Sequence, residues 1–345
     1  MGGDNAPEET IRGVLLAKEE LGAELLLVGN REILTAKAAE LGVSLDGFEL
    51  VHTEVEITME DDPIVAVRGK SDSSMSVGLS LLAEGKGDAF VSAGNTGALF
   101  TGANLLVRKL RGVRRPAIAA VLPMTPPVLL LDSGANVSVS SEYLEQFAVM
   151  GSAYMKKIMG VENPRVGLLN NGSEEHKGTE LQIETYQVLS KNPQINFVGN
   201  VEGNRVMNNA CDVLVCDGFS GNILLKTIEG MGKLMLSTMR GLFTASFLTK
   251  LAYLFVRPKL GSVKKNFDAS EHGGAPILGI AKPVIKAHGS SNAKAFKNAI
   301  RQAMIAAEND LTEELTTDLA LLSERKKVEK AARKSADETA ETTEE

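Results

Sequence analysis

The sequence has few of the side chains that build disulfide frameworks, metal centres and nucleophilic triads. Its two cysteines, Cys211 and Cys216, lie in one apolar run, and its four histidines are scattered. It contains no H-E-x-x-H, no G-x-S-x-G and no Cys/His spacing of a zinc site. These absences argue against a disulfide scaffold, a metal centre and an activated Ser or Cys, and they predict an activity without a cofactor.

The first residues also contain no apolar segment behind positive charge, the pattern expected of a secretory signal. Together with the few cysteines, this predicts a cytoplasmic protein. A formal net charge of -7 argues against nucleic acid as a general partner. With 345 residues, of which 43% are hydrophobic, the chain is long enough to bury a large core.

Strand-like apolar runs alternate with amphipathic helical ones, which predicts an α/β fold with a largely parallel sheet covered by helices. Neither an internal repeat nor a long linker occurs, so we expect one two-lobed domain over residues 1–310. The composition from 311 to 345 predicts a charged tail, a solvated helix that frays into a disordered end. The predicted strands are residues 24–28, 48–53, 89–92, 117–122, 128–131, 165–169, 196–198 and 212–216.

Polar, glycine-containing loops follow five of these strands. Ligands of open α/β sheets lie outside the carboxyl ends of strands, and such loops leave backbone N–H groups uncovered. Five in one chain therefore predict a cleft lined with backbone donors for an oxyanion such as phosphate. The loops are SAGNTGA (92–98), LDSGAN (131–136), LNNGSEEHKG (169–178), GNVEGN (199–204) and CDGFSGN (216–222).

Three glycine-containing segments include candidate residues for binding or catalysis. In SAGNTGA, Gly94 and Gly97 permit close approach, while Asn95 and Thr96 either cap a helix or donate to an anion. The G-x-x-G spacing of this segment is shorter than the G-x-G-x-x-G fingerprint of dinucleotide-binding proteins. Lys177 can pair with phosphate or an oxyanion, or it belongs to a solvated charged loop. His288, in KAHGSSNAKAF, is a candidate general acid or anion donor, or a structural histidine.

Two segments are unusually basic for an acidic protein. RKLRGVRR concentrates five cations and predicts a docking patch for an acidic partner, with a solvated basic face as the alternative. These cations are Arg108, Lys109, Arg111, Arg114 and Arg115.

Residues 231–265 contain no Asp or Glu, and charges interrupt their apolar runs before the roughly 18 residues of a membrane span. A basic amphipathic helix of this kind fits a membrane surface or an acyl chain, and a helix packed in the core is the alternative. The apolar side chains expected to make this contact are Met239, Phe243, Phe247, Leu251, Leu254 and Phe255.

Seven motifs, in the same order, resemble those of the phosphate acyltransferases of bacterial phospholipid synthesis, the acyl-carrier-protein:phosphate transacylases. They are SAGNTGA, LLDSGAN, LLNNGSEEHKG, NVEGN, CDGFSGN, E-x-GGAP and KAHGSS, and the resemblance runs from Met1 to about residue 305. It implies a fold related to isocitrate and isopropylmalate dehydrogenases, with helices on both faces of the sheet. It also implies a homodimer that associates peripherally with the cytoplasmic membrane.

The implied reaction is attack of inorganic phosphate on the thioester of an acyl carrier protein, giving acyl phosphate and free carrier. A membrane glycerol-3-phosphate acyltransferase that consumes the product is the implied further partner. Phosphate is already a nucleophile, so such a site needs positioning and oxyanion donors rather than a nucleophilic side chain.

On this basis we assign roles to the candidate residues. Lys177 would neutralise phosphate or the oxyanion, Asn222 and His288 would orient the thioester, and the cations of RKLRGVRR would meet the acidic carrier. The expected phosphate-binding residues are Gly94, Asn95, Thr96, Gly97, Ser133, Gly134 and Asn136. The other expected cleft residues are Asp4, Asn5, Asp132, Asn170 and Asp217.

The sequence departs from the resembled pattern at three places. Thr179 stands where Asn is expected, and His272 stands where an aromatic residue is commoner. In the family, GGDNAP follows a short first strand, whereas here Met1 begins the chain. We therefore expect the first strand to be missing, through a start placed too late or a truncation, and its neighbours to have open edges.

Three other functions compete with this interpretation. One is a phosphate acetyl- or butyryltransferase that uses acyl-coenzyme A, and the basic segments argue against it. Another is a non-catalytic membrane scaffold, which would bind vesicles without phosphate-dependent thioester loss. A dehydrogenase has the least support, because both a nucleotide fingerprint and metal-binding acids are missing from the sequence.

Overall fold

The computed structural model describes residues 1–251, 253, 256 and 273–341, with residues 333–341 described as backbone only. Its helices are α1 (Glu8–Leu21), α2 (Arg31–Glu40), α3 (Pro63–Gly69), α4 (Ser74–Ala83), α5 (Thr96–Gly102), α6 (Ser141–Lys157), α7 (Glu180–Ser190), α8 (Gly218–Thr244), α9 (Ala293–Glu308) and α10 (Leu311–Glu341). A π-helical turn, Ala103–Val107, continues α5, and a 3-10 turn covers Val206–Asn208.

All eight predicted strands are confirmed within a few residues. The strands are β1 (Leu26–Gly29), β2 (Glu49–His52), β3 (Phe90–Ser92), β4 (Ala117–Ile118), β5 (Ala120–Leu122), β6 (Val128–Leu131), β7 (Arg165–Asn170), β8 (Asn196–Glu202), β9 (Val213–Val215), β10 (Ala275–Leu278) and β11 (Val284–Lys286). The sequence did not predict β10 and β11, whose apolar runs are short and flanked by Gly and Pro.

The strands form a largely parallel arrangement, as predicted. A five-stranded sheet has the order β5-β6-β9-β7-β8, and only its β5–β6 pair is antiparallel. A four-stranded sheet has the order β3-β11-β10-β4, in which β3 and β11 are parallel. The β1–β2 pair is parallel and stands apart from both.

The strand predicted over residues 117–122 is divided between the two larger sheets. β4 pairs with β10 in one sheet, and β5 pairs with β6 in the other. The division falls at Ala119, whose N–H donates to the carbonyl oxygen of Pro276 at 2.9 Å. The chain therefore passes directly from one lobe to the other at this residue.

Helices cover both faces of the five-stranded sheet, which confirms that part of the fold prediction. Leu129 and Leu131 of β6 pack in one cluster with Phe147 of α6. Leu130, between them, points to the opposite face and packs with Ile228 of α8. Because side chains alternate along a strand, one apolar run supplies both cores.

A large cavity separates the β1–β2 pair from the four-stranded sheet. Its volume is about 1450 Å³, and residues of β1, β3, α1, α4 and α9 line it. Gly29 at the end of β1 and Gly94 just beyond β3 both lie against residues 1–2. The ends of β1 and β3 therefore lie close together. Among the described strands, β1 pairs with β2 only and β3 with β11 only.

The structure differs from the expected solvated tail at the beginning of that segment. Leu311, Leu315, Leu319 and Leu322 of α10 are buried in the α6 cluster. Beside them, the fully buried carboxylate of Glu145 pairs with Arg325 and Lys326. The leucines recur at helical spacing between charged residues, so the average composition hides the stripe that packs.

Helix α8 packs only near its N-terminus. Its buried residues are Gly218, Gly221 and Ile228, whereas Met231, Leu234, Met235 and Leu242 are exposed. The rest of this helix therefore extends away from the sheet. Among the described helices, none combines the length and apolarity that crossing a membrane requires.

Candidate active site

Three loops that are remote in sequence converge at the C-terminal ends of β3 and β11. The N–H of Asp4 donates to the carbonyl oxygen of Gly289 at 2.8 Å, and Asn5 Nδ2 donates to that of Ser290 at 3.4 Å. Gly3 has a φ of 104°, and a Cβ there would lie 3.1 Å from that of Ala93. This close approach requires glycine. Residues 1–5, 92–97 and 287–291 thus form one rim.

The entry to α5 supplies two free backbone donors to this rim. Asn95 is the helix cap: its Oδ1 accepts from Ala98 N at 3.0 Å, and its Nδ2 donates to three carbonyl oxygens of residues 58–61. Its side chain is therefore fully used. Thr96 and Gly97 hold the first helical positions, so their N–H groups have no partner within the helix. These two, rather than the Asn95 amide, can receive an anion.

The loop at residues 132–136 does not offer the donors that the sequence predicted. Gly134 N and Ala135 N donate to Asp132 Oδ1 at 3.1 Å, and Asn136 N donates to Oδ2 at 2.6 Å. Ser133 uses both its N–H and its hydroxyl on the carbonyl oxygen of Ile118. Asp132 is fully buried, and its carboxylate already accepts the hydrogen bonds that this loop would otherwise offer to a bound anion. In this conformation Ser133, Gly134 and Asn136 have no backbone N–H left for phosphate.

Asn136 and Asp217 join that loop to the start of α8. Asn136 Nδ2 donates to the carbonyl oxygen of Pro116 and to Asp132 Oδ2, each at 2.8 Å. The carbonyl oxygen of Asn136 accepts from Gly218 N at 2.7 Å. Asp217 caps α8 and accepts from the N–H and the hydroxyl of Ser220 at 2.8 Å. Asp132, Asn136 and Asp217 therefore organise the cleft and have structural roles here.

One face of α8 links this loop to the rim formed by the other three. Asn222 is exposed and lies 3.6 Å from the Cβ position of Gly134. Lys226, Glu229 and Lys233 follow at spacings of four, three and four residues, so they share that face. All three influence the ionisation of His288. Asn222 thus lies one helical turn from Lys226, whose charge acts on His288 of the other lobe.

The cleft is rich in positive charge near His288 and Lys286. Burial lowers the pKa of His288, and nearby Lys226, Lys286 and Lys233 lower it further. Burial likewise lowers the pKa of Lys286 to about 8, with Asp4 opposing that change. The Lys286 ammonium donates to the carbonyl oxygens of Ala93, at 3.3 Å, and of Ala287. Clustered cations with little compensation favour the binding of an anion.

The loop of Lys177 lies at the same edge of the five-stranded sheet, because β6, β9 and β7 are parallel neighbours. Asn170 Nδ2 donates to the carbonyl oxygen of Lys177 at 3.0 Å, so Asn170 supports the loop. The Lys177 side chain is exposed. Within the part of the chain that is described, it makes no hydrogen bond or ion pair with another predicted site residue.

The predicted docking patch is exposed at all five cations: Arg108, Lys109, Arg111, Arg114 and Arg115. Leu110 and Val113 anchor the segment in the core. Two of the cations have partners, since Lys109 donates to the carbonyl oxygen of Arg114 and Arg114 approaches Glu142 at 3.4 Å. The remaining three guanidinium groups are turned to solvent.

The predicted membrane segment is partly described. Met239 and Phe243 are half-buried, and the ring of Phe243 lies 5.4 Å from that of Tyr253. Phe247 is 81% exposed, and Leu248 and Leu251 are exposed as well. Leu254 and Phe255 lie outside the described residues.

Sequence reasoning missed Lys226 and Ser290. Lys226 follows Asn222 by four residues, which is the spacing of one helix face and was the available signal. Ser290 bonds the ring of His288, and local sequence contains no signal for that contact. In the described ranges, no group of three or more His, Cys, Asp or Glu side chains could hold a metal ion. Both cysteines are buried, and burial raises the pKa of Cys211 to about 12.

Comparison with known proteins identifies relatives over nearly the whole chain. A family model described as "Fatty acid synthesis protein" matches residues 1–314. A phosphate acyltransferase of Thermoanaerobacterium thermosaccharolyticum is 43% identical over 325 residues, which cover 94% of this chain and 96% of the relative. That of Bacillus licheniformis is 46% identical over 306 residues, covering 88% and 91% of the two chains.

Solved structures share the fold at low identity. A phosphotransacetylase from Streptococcus pyogenes matches with a TM-score of 0.60 and 17% identity, over 88% of this chain and 92% of the other. A structure described as a 4-hydroxythreonine-4-phosphate dehydrogenase from Salmonella typhimurium matches with a TM-score of 0.50 and 14% identity, over 87% and 94%. The two-lobed α/β fold is therefore common to transacylases and a dehydrogenase.

Proposed function

The chain belongs to the phosphate acyltransferase family, and from this premise we propose that it transfers the acyl group of an acyl-[acyl carrier protein] to inorganic phosphate. The observation that carries the proposal is the rim of three loops facing the Asn222–Lys226 face of α8. Free N–H groups at Thr96 and Gly97 lie on the rim. Three lysines, Lys226, Lys233 and Lys286, act on His288 beside it.

In the proposed reaction an oxygen of HPO4²⁻ attacks the carbonyl carbon of the thioester. The new C–O bond forms, the C–S bond breaks, and the electron pair leaves with sulfur. The proton of the phosphate ends on the carrier thiol, so the products are acyl phosphate and free carrier. No covalent enzyme intermediate is required, which suits a protein whose two thiols are both buried in the core.

In this proposal two groups of residues have different roles. The N–H groups of Thr96 and Gly97, with Lys226 and Lys177 as cations, hold phosphate next to the carbonyl carbon of the thioester. Asn222 and His288 orient the thioester from the two sides of the cleft. Donors directed at the developing oxyanion typically contribute 2.7–4 kcal/mol each to such reactions. A thiolate with a reference pKa near 8.5 needs little acid catalysis to leave.

The carrier and the membrane would meet different surfaces. We assign the acidic carrier to the exposed guanidinium groups at Arg108, Arg111 and Arg115. The unpacked half of α8 and the residues after it, with Phe247 and Leu251 exposed, would contact the membrane surface or the acyl chain. The proposal includes a homodimer in the cytoplasm, peripheral at the membrane, that passes acyl phosphate to a membrane glycerol-3-phosphate acyltransferase for phosphatidic acid synthesis.

The decisive experiment follows the release of free carrier from palmitoyl-[acyl carrier protein] with and without phosphate. Sulfate at equal ionic strength is the control, because it supplies charge without the same nucleophile. We expect carrier release that depends on phosphate and yields acyl phosphate in equal amounts. Release that is independent of phosphate would overturn the proposal.

The same assay separates the competing functions. Palmitoyl-coenzyme A replaces the carrier thioester in a parallel reaction. We expect the carrier substrate to have the higher kcat/KM, and the reverse preference would favour a coenzyme A-dependent transacylase. Vesicle binding without any phosphate-dependent thioester loss would instead identify a scaffold.

A further inference from the structure

The orientation of the His288 ring is set by its neighbour Ser290. The Ser290 hydroxyl lies 2.8 Å from His288 Nδ1, and the backbone N–H of Ser290 donates to the same nitrogen at 3.2 Å. An amide nitrogen can only donate, so Nδ1 must accept and cannot carry a proton of its own. The neutral ring therefore carries its proton on Nε2.

The second ring nitrogen is free for a ligand. His288 is exposed, and its Nε2 makes no hydrogen bond with any residue that the structure describes. The neighbouring Gly289 accepts from Asp4, and Ser291 N donates to the carbonyl oxygen of His288 at 3.0 Å. The loop is therefore held by its backbone on both sides of the ring, and Nε2 is the group left for the cleft.

The surroundings of the ring disfavour its protonation. Partial burial lowers the pKa of His288, and Lys226 and Lys233 of α8 and Lys286 of β11 lower it further, while Glu229 of α8 opposes them. Two other acids lie near this loop: Asp4, before α1, lies against Gly289, and Glu9 of α1 accepts from the N–H of Ala293 at 2.5 Å. Protonation would also set an Nδ1–H against the N–H of Ser290. Both effects act against imidazolium.

We propose that Ser290 is a positioning residue that holds His288 as the neutral Nε2–H tautomer, so that this N–H donates to the carbonyl oxygen of the acyl thioester. The assignment rests on the proposed acyl transfer and adds to it. His288 stabilises the oxyanion as a donor and keeps its proton. The proton that reaches the carrier thiol comes from phosphate, and none passes through the ring.

This role differs measurably from that of a general acid. An imidazolium acid loses activity as pH rises through its pKa, whereas a neutral donor gains activity there. Phosphate ionises in the same range, so the informative quantity is the ratio of the kcat of wild type to that of a His288 variant. For a neutral donor this ratio rises with pH and then stays constant through pH 8.

Four variants test the assignment. A Gln side chain at 288 places a neutral N–H near the position of Nε2, and an Asn side chain places it near that of Nδ1. We expect His288→Gln to retain at least about tenfold more kcat than His288→Asn, equivalent to 1.4 kcal/mol. Ser290→Ala should lower kcat with little change in the KM for phosphate. Ser291→Ala is the matched control, because the buried Ser291 hydroxyl has no hydrogen-bond partner.

The tautomer itself is measured by the ¹⁵N chemical shifts of His288 in wild type and in Ser290→Ala. We expect an Nε2–H ring in wild type and a smaller fraction of this tautomer in the variant, which loses the hydroxyl donor to Nδ1 but keeps the backbone N–H. An Nδ1–H ring in wild type, or His288→Asn as active as His288→Gln, would overturn the proposal. The chemical shifts are read without substrate. A failure of phosphate-dependent transfer would therefore remain distinguishable from a failure of the tautomer assignment.

Discussion

The carboxylate of Asp132 accepts hydrogen bonds from both the backbone and the side-chain amide of Asn136, at 2.6 and 2.8 Å. Three further N–H groups, from Ile118, Gly134 and Ala135, donate to its other oxygen. This fully buried carboxylate therefore organises the turn after β6, and the carbonyl oxygen of Asn136 in that turn accepts from Gly218 at the start of α8, the helix that contains Asn222.

Asp132→Ala is expected to lower the free energy of unfolding by on the order of 4 kcal/mol, because it leaves several buried donors unpaired. Urea denaturation measures this difference. Asp217→Ala, which removes only the helix cap of α8, should cost about 1 kcal/mol. Equal losses in the two variants would contradict the structural role of Asp132.

Lys226 and Lys177 are expected to act on phosphate, and alanine at either position should lower kcat/KM for phosphate by about tenfold or more, equivalent to 1.4 kcal/mol. The effect should appear at limiting phosphate, since the lost group is a counter-charge. Lys191→Ala removes an exposed lysine at the end of α7 and is the control. Near wild-type acyl-phosphate formation by Lys177→Ala would remove Lys177 from the mechanism.

Lys286 should make stability depend on alkaline pH. Its pKa is about 8 in the folded protein and near 10.5 when unfolded. Between these values the unfolded chain binds the extra proton, so the free energy of unfolding rises with pH. Relative to Lys286→Met, wild type should gain about 3 kcal/mol from pH 8 to 10.5. Urea titrations of both proteins at several pH values test this, and parallel pH curves would contradict it.

Replacing exposed apolar residues beyond α8 with acids should abolish binding to anionic vesicles. Phe247→Asp acts on a side chain that is 81% exposed, so the fold should survive it. Adding Phe243→Asp also removes the ring contact with Tyr253. Val328→Asp, at an exposed apolar position on α10, is the control. Cosedimentation that is unchanged in both Phe variants would exclude the membrane role.

The strands could be predicted because most of them are short apolar runs, and those at the centre of the five-stranded sheet are covered on both faces. β6 shows why: Leu129, Leu130 and Leu131 serve two cores at once. β10 and β11 were missed because runs of three or four residues beside Gly and Pro are typical of turns as well. The division at Ala119 depends on a neighbour, Pro276, that is remote in sequence.

The sequence predicted which loops contribute to the candidate site, but it did not predict how their groups are arranged in space. Composition shows that a loop has many N–H groups, but it does not show which are already bonded. In residues 132–136 the local carboxylate takes them, and at Asn95 three distant carbonyl oxygens occupy the amide. Lys226 acquires its role only when the lobes meet, whereas that of Ser290 depends on the conformation of its own loop.

Helix α8 connects the charged residues of the cleft to an exposed apolar surface. From Asn222 to Thr244 it extends about 33 Å at 1.5 Å per residue, with the charged face toward His288 and exposed apolar side chains on another face. Each inserted residue would turn one end against the other by about 100°. The length and the period of α8 therefore fix the distance and the angle between its charged residues near His288 and its exposed apolar residues. Inserting one residue into the helix would change both the distance and the angle without replacing a residue of either surface.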